Sequence, residues 1–403
     1  MVLRTALWCV PVADLGGVAR HVLDAARTGV PGWRIVVLCP EGPLAERLRA
    51  LGVPVLVGPV SPDDGTRAAV AAIRDALRRL RPDVLHTHLA FADLAGIAAV
   101  QGLRSGRGER IRVVSTEHGI AGVRGYYQAS EAAARAKAAA HRARLLRTDR
   151  IIAVSESTRE QVAAQWGSAE KIVVVRNEVE APGAAADSAG TGTAGGAGTG
   201  TAGGAGTGAA EPRPGLRILS LARLAPEKRI DELLRAFVHV LRGHPEATLT
   251  IAGTGPEEAS LRARAGILGL AGHVDFVGHV DAADALRRHD VVVQLSVWEN
   301  LSYTLLDAVA HGLGVVATDV GGNGEIVPER CLVASGGGAG APGALPAEEI
   351  ARRIVEQGLE VGERPGRRAL VATSTDADSH GTLPGMCAAI AVVYDAALGG
   401  GPL

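Results

Sequence analysis

Aromatic residues are scarce in this chain. Phe, Tyr and Trp make up 3% of its 403 residues, against 47% hydrophobic residues in all, so any core must be built from Ala, Val, Leu and Ile. Charge of one sign is not in excess either: 42 Lys and Arg stand against 43 Asp and Glu, a formal charge of −1. That balance excludes the broad cationic surface on which bulk nucleic-acid binding depends. Apolar runs stop short of the ~18 residues that cross a membrane as a helix. Cysteine is limited to Cys9, Cys39, Cys331 and Cys387, too far apart to form a ligand pattern. Cys9, Cys39 and Cys387 lie in apolar runs and read as small buried hydrophobes. Residues 1–12 resemble a secretion signal only superficially, because Pro11, Asp14 and a Gly-Gly pair follow with no small-residue cleavage site. They read as a first strand. The expectation is a soluble, cytoplasmic chain with room for about two domains.

What the chain has is alternation. Residues 3–10, 34–39, 53–57, 84–88, 113–119, 151–154 and 172–175 read as strands. Helices are expected over 43–51, 66–80, 132–147 and 158–166, and from the Gly16-Gly17 turn onward. In the second of these, Val70, Ile73, Leu77 and Leu80 recur at helical spacing. The pattern resumes with strands at 217–221, 248–252, 274–278, 291–295 and 314–318, helices at 231–241, after the Gly253-Thr254-Gly255-Pro256 turn and at 303–311, and a closing helix near 383–398. Between the halves, residues 181–215 are of a different material: TGTAGGAG at 191–198 recurs at 199–206. Such a tract buries no core and is expected as a flexible coil spanning roughly 30–35 Å root-mean-square. Its accidental Gly198-x-Gly200-x-x-Gly203 match has no strand before it and no helix after it, so it is no dinucleotide fingerprint. The division is therefore 1–180, linker 181–215, and 216–403.

In open α/β sheets ligands sit beyond the carboxyl ends of the strands. Five groups fall there. Glu299 lies in the loop after strand 291–295, and Asp307 eight positions later, just inside a helix whose start, at Tyr303 and Thr304, offers free N–H groups and partial positive charge. Arg223 and Lys228 follow strand 217–221, two cations suited to a diphosphate, one bidentate and one a point charge. Gly16-Gly17 follows the first strand and would let backbone approach a ligand. His88 closes the His86-x-His88 pair at the end of strand 84–88, sharing a face with His86 but with no third ligand nearby in sequence, so metal is not expected. His118, before Gly119, ends the next strand and opens into a loop. Arg135, Lys137, Arg142, Arg144 and Arg147 give helix 132–147 a basic face, expected to be solvated, with a weak peripheral membrane contact as the alternative.

These residues resemble the retaining glycosyltransferases of the GT-B fold, family 4, over nearly the whole chain. The most specific part is Ser296-x-x-Glu299-x7-Asp307-Ala308 with Ala310-x-Gly312-x-Gly314-Val315-Val316 through Gly321-Gly322; next comes Arg223-x4-Lys228. The resemblance implies an α/β architecture of two Rossmann-like domains facing across a cleft, acceptor half first and donor half second, with the last helix packing back on the first domain. It implies that a hexose-type sugar passes from a nucleoside-diphosphate sugar to a hydroxyl acceptor, without cofactor or metal. The acceptor would be a small molecule, such as a natural-product aglycone or pseudosaccharide, or an envelope glycan. Arg223 and Lys228 would hold the diphosphate, and Glu299 the sugar hydroxyls. Asp307 would take the ribose, and backbone near Tyr303 and Thr304 phosphate. The turn from Gly278 to Val280 would meet the base, Gly17 would approach phosphate, and His118 would contact the transferred sugar, with Gly16 and His88 on the acceptor side.

Four positions depart from the family pattern. Asp307 stands where Glu is usual, Glu178 follows Asn177 where Gly is common, Gly314 replaces a common Pro, and the Gly/Ala/Thr tract lengthens the link. Gly314 is expected to affect loop stiffness only. Asp307 and Glu178 keep open a catalytically impaired nucleotide-sugar-binding protein, and another GT-B activity such as a sugar-nucleotide epimerase is the remaining alternative.

Overall fold

Long runs of β-branched residues with no polar alternation, such as Ile35-Val36-Val37-Leu38 and Val291-Val292-Val293, are what a parallel sheet covered on both faces demands. The computed structural model describes residues 3–119, 131–180, 215–335, 343–362 and 381–399, with backbone alone for 131–138 and 360–362. The 181–214 tract lies outside the described residues. The strands fall in two parallel sheets. The first contains β1 (Arg4–Cys9), β2 (Trp33–Cys39), β3 (Val55–Val57), β4 (Val84–His88), β5 (Arg112–Glu117), β6 (Arg150–Ala153) and β7 (Ile172–Val174), in the order 3-2-1-4-5-6-7. The second contains β8 (Arg217–Leu221), β9 (Thr248–Ala252), β10 (Val274–Gly278), β11 (Val291–Gln294), β12 (Gly314–Thr318) and β13 (Leu332–Val333), in the order 10-9-8-11-12-13. Each order reverses once, between β1 and β4 and between β8 and β11. The two reversals are the crevices where such sheets hold ligands.

Helices cover the sheets. They are α1 (Gly17–Thr28), α2 (Pro43–Ala50), α3 (Thr66–Leu80), α4 (Leu89–Val100), α5 (Glu131–Arg147) and α6 (Glu156–Trp166) in the first half. The second half has α7 (Ile230–Gly243), α8 (Glu258–Ile267), α9 (Ala282–Arg287), α10 (Tyr303–Ala310), α11 (Asn323–Ile326), α12 (Ala347–Gly362) and α13 (Leu383–Ala397). Strand ends shift from the expected positions by one or two residues. The helices not foreseen are α4, α9, α11 and α12. In α4 the sequence LAFADLAGIAAV is apolar except for the buried Asp93, because the helix packs against the sheet, α3 and α5, and its exposed Leu94 and Ala98 give no polar face to mark a period.

The closing helix crosses back to the first sheet. Leu383, Met386, Cys387, Ile390 and Tyr394 of α13 share one buried cluster with Ala6, Trp8 and Val22, and Tyr394 Oη lies 2.5 Å from His86 Nδ1. All four cysteines are buried thiols, Cys331 donating to Gln357 Oε1 at 3.2 Å, and burial pushes the Cys39 thiol up to about 11. No helix among the described residues is long and apolar enough to cross a membrane.

Gly314 is not a matter of loop stiffness. A Cβ there would stand 2.8 Å from the Gln357 carbonyl oxygen of α12, and its N–H donates to the Asp290 carbonyl at 2.9 Å. Proline would lose that hydrogen bond and collide with α12.

Candidate active site

In the second half the site grows out of the β8/β11 reversal. Strand β11 ends at Gln294, whose amide donates to Glu299 Oε1 at 2.6 Å while its oxygen accepts from Ser302 Oγ at 2.7 Å. Ser302 is also the N-cap of α10, so one side chain fixes both the helix start and the Glu299 loop. Lys228, from the loop after β8, donates to the same Glu299 oxygen at 2.5 Å. Glycine closes this loop from below: Gly321 has φ 56°, and a Cβ there would lie 1.8 Å from the Glu299 carbonyl oxygen. Only glycine meets both conditions. Arg223 stays largely exposed and pairs with Glu227 rather than Glu299. The Gly278 turn has φ 68° and is tied to Gly253, whose N–H donates to the Gly278 carbonyl at 2.7 Å, and Val280 is half-buried beside it. Thr304 lies at the α10 start with its hydroxyl 3.5 Å from the Leu221 carbonyl.

The first half faces this from the β1/β4 reversal. Gly16 is the N-cap of α1 and Gly17 its first residue; the nearest atom to a Gly17 Cβ would be Tyr303 Cδ2 at 3.9 Å. The two helix starts thus meet across the cleft. One turn into α1, Arg20 grips both oxygens of Asp307, one at 2.8 Å, lies 4.8 Å over the Tyr303 ring, and is backed by Asp24 at 3.3 Å. Burial opposes the Arg20 charge, but the Asp307 carboxylate outweighs it and raises the guanidinium pKa. Arg20 escaped the sequence reading; its signal was a cation four residues before Asp24 and one turn after the glycine pair.

The two predicted histidines of the first half come together with a third. His88 Nδ1 lies 2.9 Å from His118 Nε2, and His21 of α1 completes a group with ring centroids 4.9 Å from His118 and 5.8 Å from His88. Burial holds the rings uncharged: His21 falls to about 4, and His88 and His118 lie well below the ordinary histidine value, the latter two depressed further by neighbouring rings. His88 is presented by an abrupt turn in which Leu89 takes φ 70°, a costly backbone for a branched residue. Across the cleft, Asn300 Nδ2 donates to the His118 carbonyl, and a Cβ on Gly119 (φ 158°) would strike Asn300. Further contacts join the halves: Glu325 accepts from the Glu156 and Ser157 N–H groups at the start of α6, at 3.0 and 2.9 Å.

Family models match both halves. Residues 15–181 match "Glycosyltransferase Family 4" and residues 215–356 match "Glycosyl transferases group 1". The chain is a GT-B glycosyltransferase of group 1. Among curated proteins it is 27% identical to a glycogen synthase of Mycobacterium tuberculosis over 352 residues, covering 79% of this chain and 78% of the relative. It is 36% identical over 121 residues to a GDP-mannose-dependent phosphatidylinositol monomannoside mannosyltransferase of Mycolicibacterium smegmatis, covering 27% of this chain and 31% of that one. Among solved structures, Anabaena HepE in complex with UDP-glucose superposes with TM-score 0.67 at 17% identity over 98% of both chains. The sucrose-phosphate synthase of Thermosynechococcus elongatus does so with TM-score 0.67 at 18% identity over 99% and 100%.

One expectation is corrected in this glycosyltransferase. The basic helix α5 is not uniformly solvated: Arg144 is fully buried and ion-paired with Asp93 and Glu117, because it must neutralise two carboxylates beneath β5. Burial still lifts Glu117 to about 7, with Arg144 opposing. Arg142 and Arg147 remain exposed, while the side chains of Arg135 and Lys137 lie outside the described residues. His86 and His88 have no third imidazole nearby in sequence, and the fold brings His21 of α1 and His118 from the end of β5 to His88 alone, one ring nitrogen from each of the three within 4.8 Å of the others. At the other departure, burial pushes Glu178 up to about 7 against the pull of Arg176.

Proposed function

We propose that this glycosyltransferase moves a hexose-type sugar from a nucleoside-diphosphate sugar to a hydroxyl acceptor in the cytoplasm, with retention and without a metal in the catalytic step. The observation that carries the reading is the Lys228–Glu299 pair at the β8/β11 reversal, 2.5 Å apart, with Arg223 on the same loop as Lys228. A cation and a carboxylate so held can meet the two ends of one donor: phosphate oxygens on Lys228 and Arg223, sugar hydroxyls on Glu299. Relatives support it, since HepE was solved with UDP, UDP-glucose, and UDP with glucose.

Transfer breaks the anomeric C–O bond and leaves its electron pair on the diphosphate. Preorganised donors aimed at that charge contribute about 3–4 kcal/mol each. The acceptor oxygen attacks from the face the diphosphate leaves, and its proton passes to the departing phosphate oxygen, so no separate carboxylate acid–base pair is needed. His118 contacts the sugar from the first half, Asp307 takes the ribose once Arg20 yields it, and the Gly278–Val280 turn faces the base. Contacts across the cleft exclude water, the competing acceptor. The acceptor is a small-molecule aglycone, a pseudosaccharide or an envelope glycan.

The occupation of Asp307 by Arg20 favours one second reading, a nucleotide-sugar-binding protein that does not turn over. A panel of nucleotide sugars incubated in EDTA separates the two. Release of nucleoside diphosphate from one donor, and an axial or equatorial product matching that donor by NMR, is the expected result. Binding of a nucleoside diphosphate without release in the presence of any acceptor would place the second reading first.

A further inference from the structure

We infer that His21, His88 and His118 form a site for one transition-metal dication of the zinc class on the first-half wall of the cleft. The three residues come from the second turn of α1, the last residue of β4 and the residue after β5, and one ring nitrogen from each lies within 4.8 Å of the others. The ring centroids form a triangle of 4.9, 5.2 and 5.8 Å. Three imidazoles bound to one tetrahedral ion at about 2.0–2.1 Å place their centroids roughly 5 Å apart. The triangle therefore has the size of a three-histidine site before any ligand is added.

The outer contacts are those a ligand set needs. His21 Nδ1 lies 3.0 Å from Asn177 Oδ1, an oxygen that can only accept; this fixes the proton on Nδ1 and leaves the Nε2 lone pair free. That Nε2 is buried without a protein partner. His88 Nδ1 and His118 Nε2 face each other at 2.9 Å, a contact that needs a proton or a cation between the two nitrogens. Widening it to about 3.4 Å is enough to seat both on one tetrahedral ion. His86, although 4.4 Å from His88 by ring centroid, is excluded as a ligand because Tyr394 and Thr116 engage both its nitrogens.

Nitrogen-only ligation selects zinc, cobalt, nickel or copper over magnesium and calcium, which require oxygen. His21 and His88 are fully buried whereas His118 is only partly buried, so the fourth position opens toward the cleft, where water completes the tetrahedron. On the function proposed above, which this consequence alone rests on, the ion withdraws His118 from the sugar and acts as an inhibitor.

The test uses the full chain, stripped with EDTA, desalted and titrated with Co2+. One equivalent is expected, with the visible bands of tetrahedral cobalt, displaced by Zn2+ and unaffected by Mg2+. His118→Ala, which alters a partly buried residue, and His21→Ala should each abolish the bands while circular dichroism stays that of the parent. No cobalt uptake by the parent chain, or unchanged bands in His118→Ala, would overturn the site. Nucleoside diphosphate binding in EDTA is measured alongside: it persists if only the metal site is wrong, and disappears if the donor reading is wrong.

Discussion

The two halves share the strand order 3-2-1-4-5-6 through their first six strands, yet their facing edges hold opposite chemistry. The first presents uncharged histidines, three of them packed around Trp8; the second presents carboxylates and cations in pairs. One topology thus carries two sites, because the loops beyond the carboxyl ends vary while the sheets do not. The division suits a transferase. A diphosphate leaving group needs fixed charge, while a neutral sugar and its acceptor need neutral contacts that do not attract water.

The largest expected effect comes from removing charge in the second half. Lys228→Ala should lower transfer by about 100- to 1,000-fold, the size of losing one preorganised donor to a developing anion, measured as initial rates of nucleoside diphosphate release. A change below tenfold would detach Lys228 from the leaving group.

Acid should strike the first half. His21 has a folded pKa of about 4 against 6.5 in free solution, so its contribution is present above 6.5 and lost as pH falls toward 4. That loss is roughly 3 kcal/mol from His21 alone, at about 1.4 kcal/mol per unit, with His86, His88 and His118 shifting the same way. Hydrogen exchange between pH 7 and 4 should show opening first in β1, β4 and β5.

Gly314→Ala tests the packing of α12 on β12 and should cost about 1–3 kcal/mol in denaturant unfolding, as overpacking does. The smallest effect belongs to the contact that joins the halves. Arg20→Ala frees Asp307 for ribose and should tighten nucleoside diphosphate binding by about fivefold, the ~1 kcal/mol scale of a partly exposed ion pair. Weaker binding would instead make Arg20 a donor ligand.

The strands were legible because a doubly covered parallel sheet leaves unbroken apolar runs, and α3 because its apolar residues recur every three or four positions. Glu299, Asp307, Arg223 and Lys228 were legible because they follow such runs at fixed spacing. Arg20 was not, since its partner lies 287 residues away. The same distance blindness hid Arg144, whose two carboxylates come from α4 and β5, and the meeting of His21 with His88 and His118. Helix α4 was lost for the opposite reason: its exposed side, at Leu94 and Ala98, is apolar too, which erases the period that marks a helix.

The most direct measurement is calorimetric titration of the chain in EDTA with a panel of nucleoside diphosphates, alongside Lys228→Ala and Arg223→Ala. One base should bind to the parent chain and bind at least tenfold more weakly to both variants. Equal binding to all three proteins, or none to any, would contradict a donor site at the end of β8 and β11.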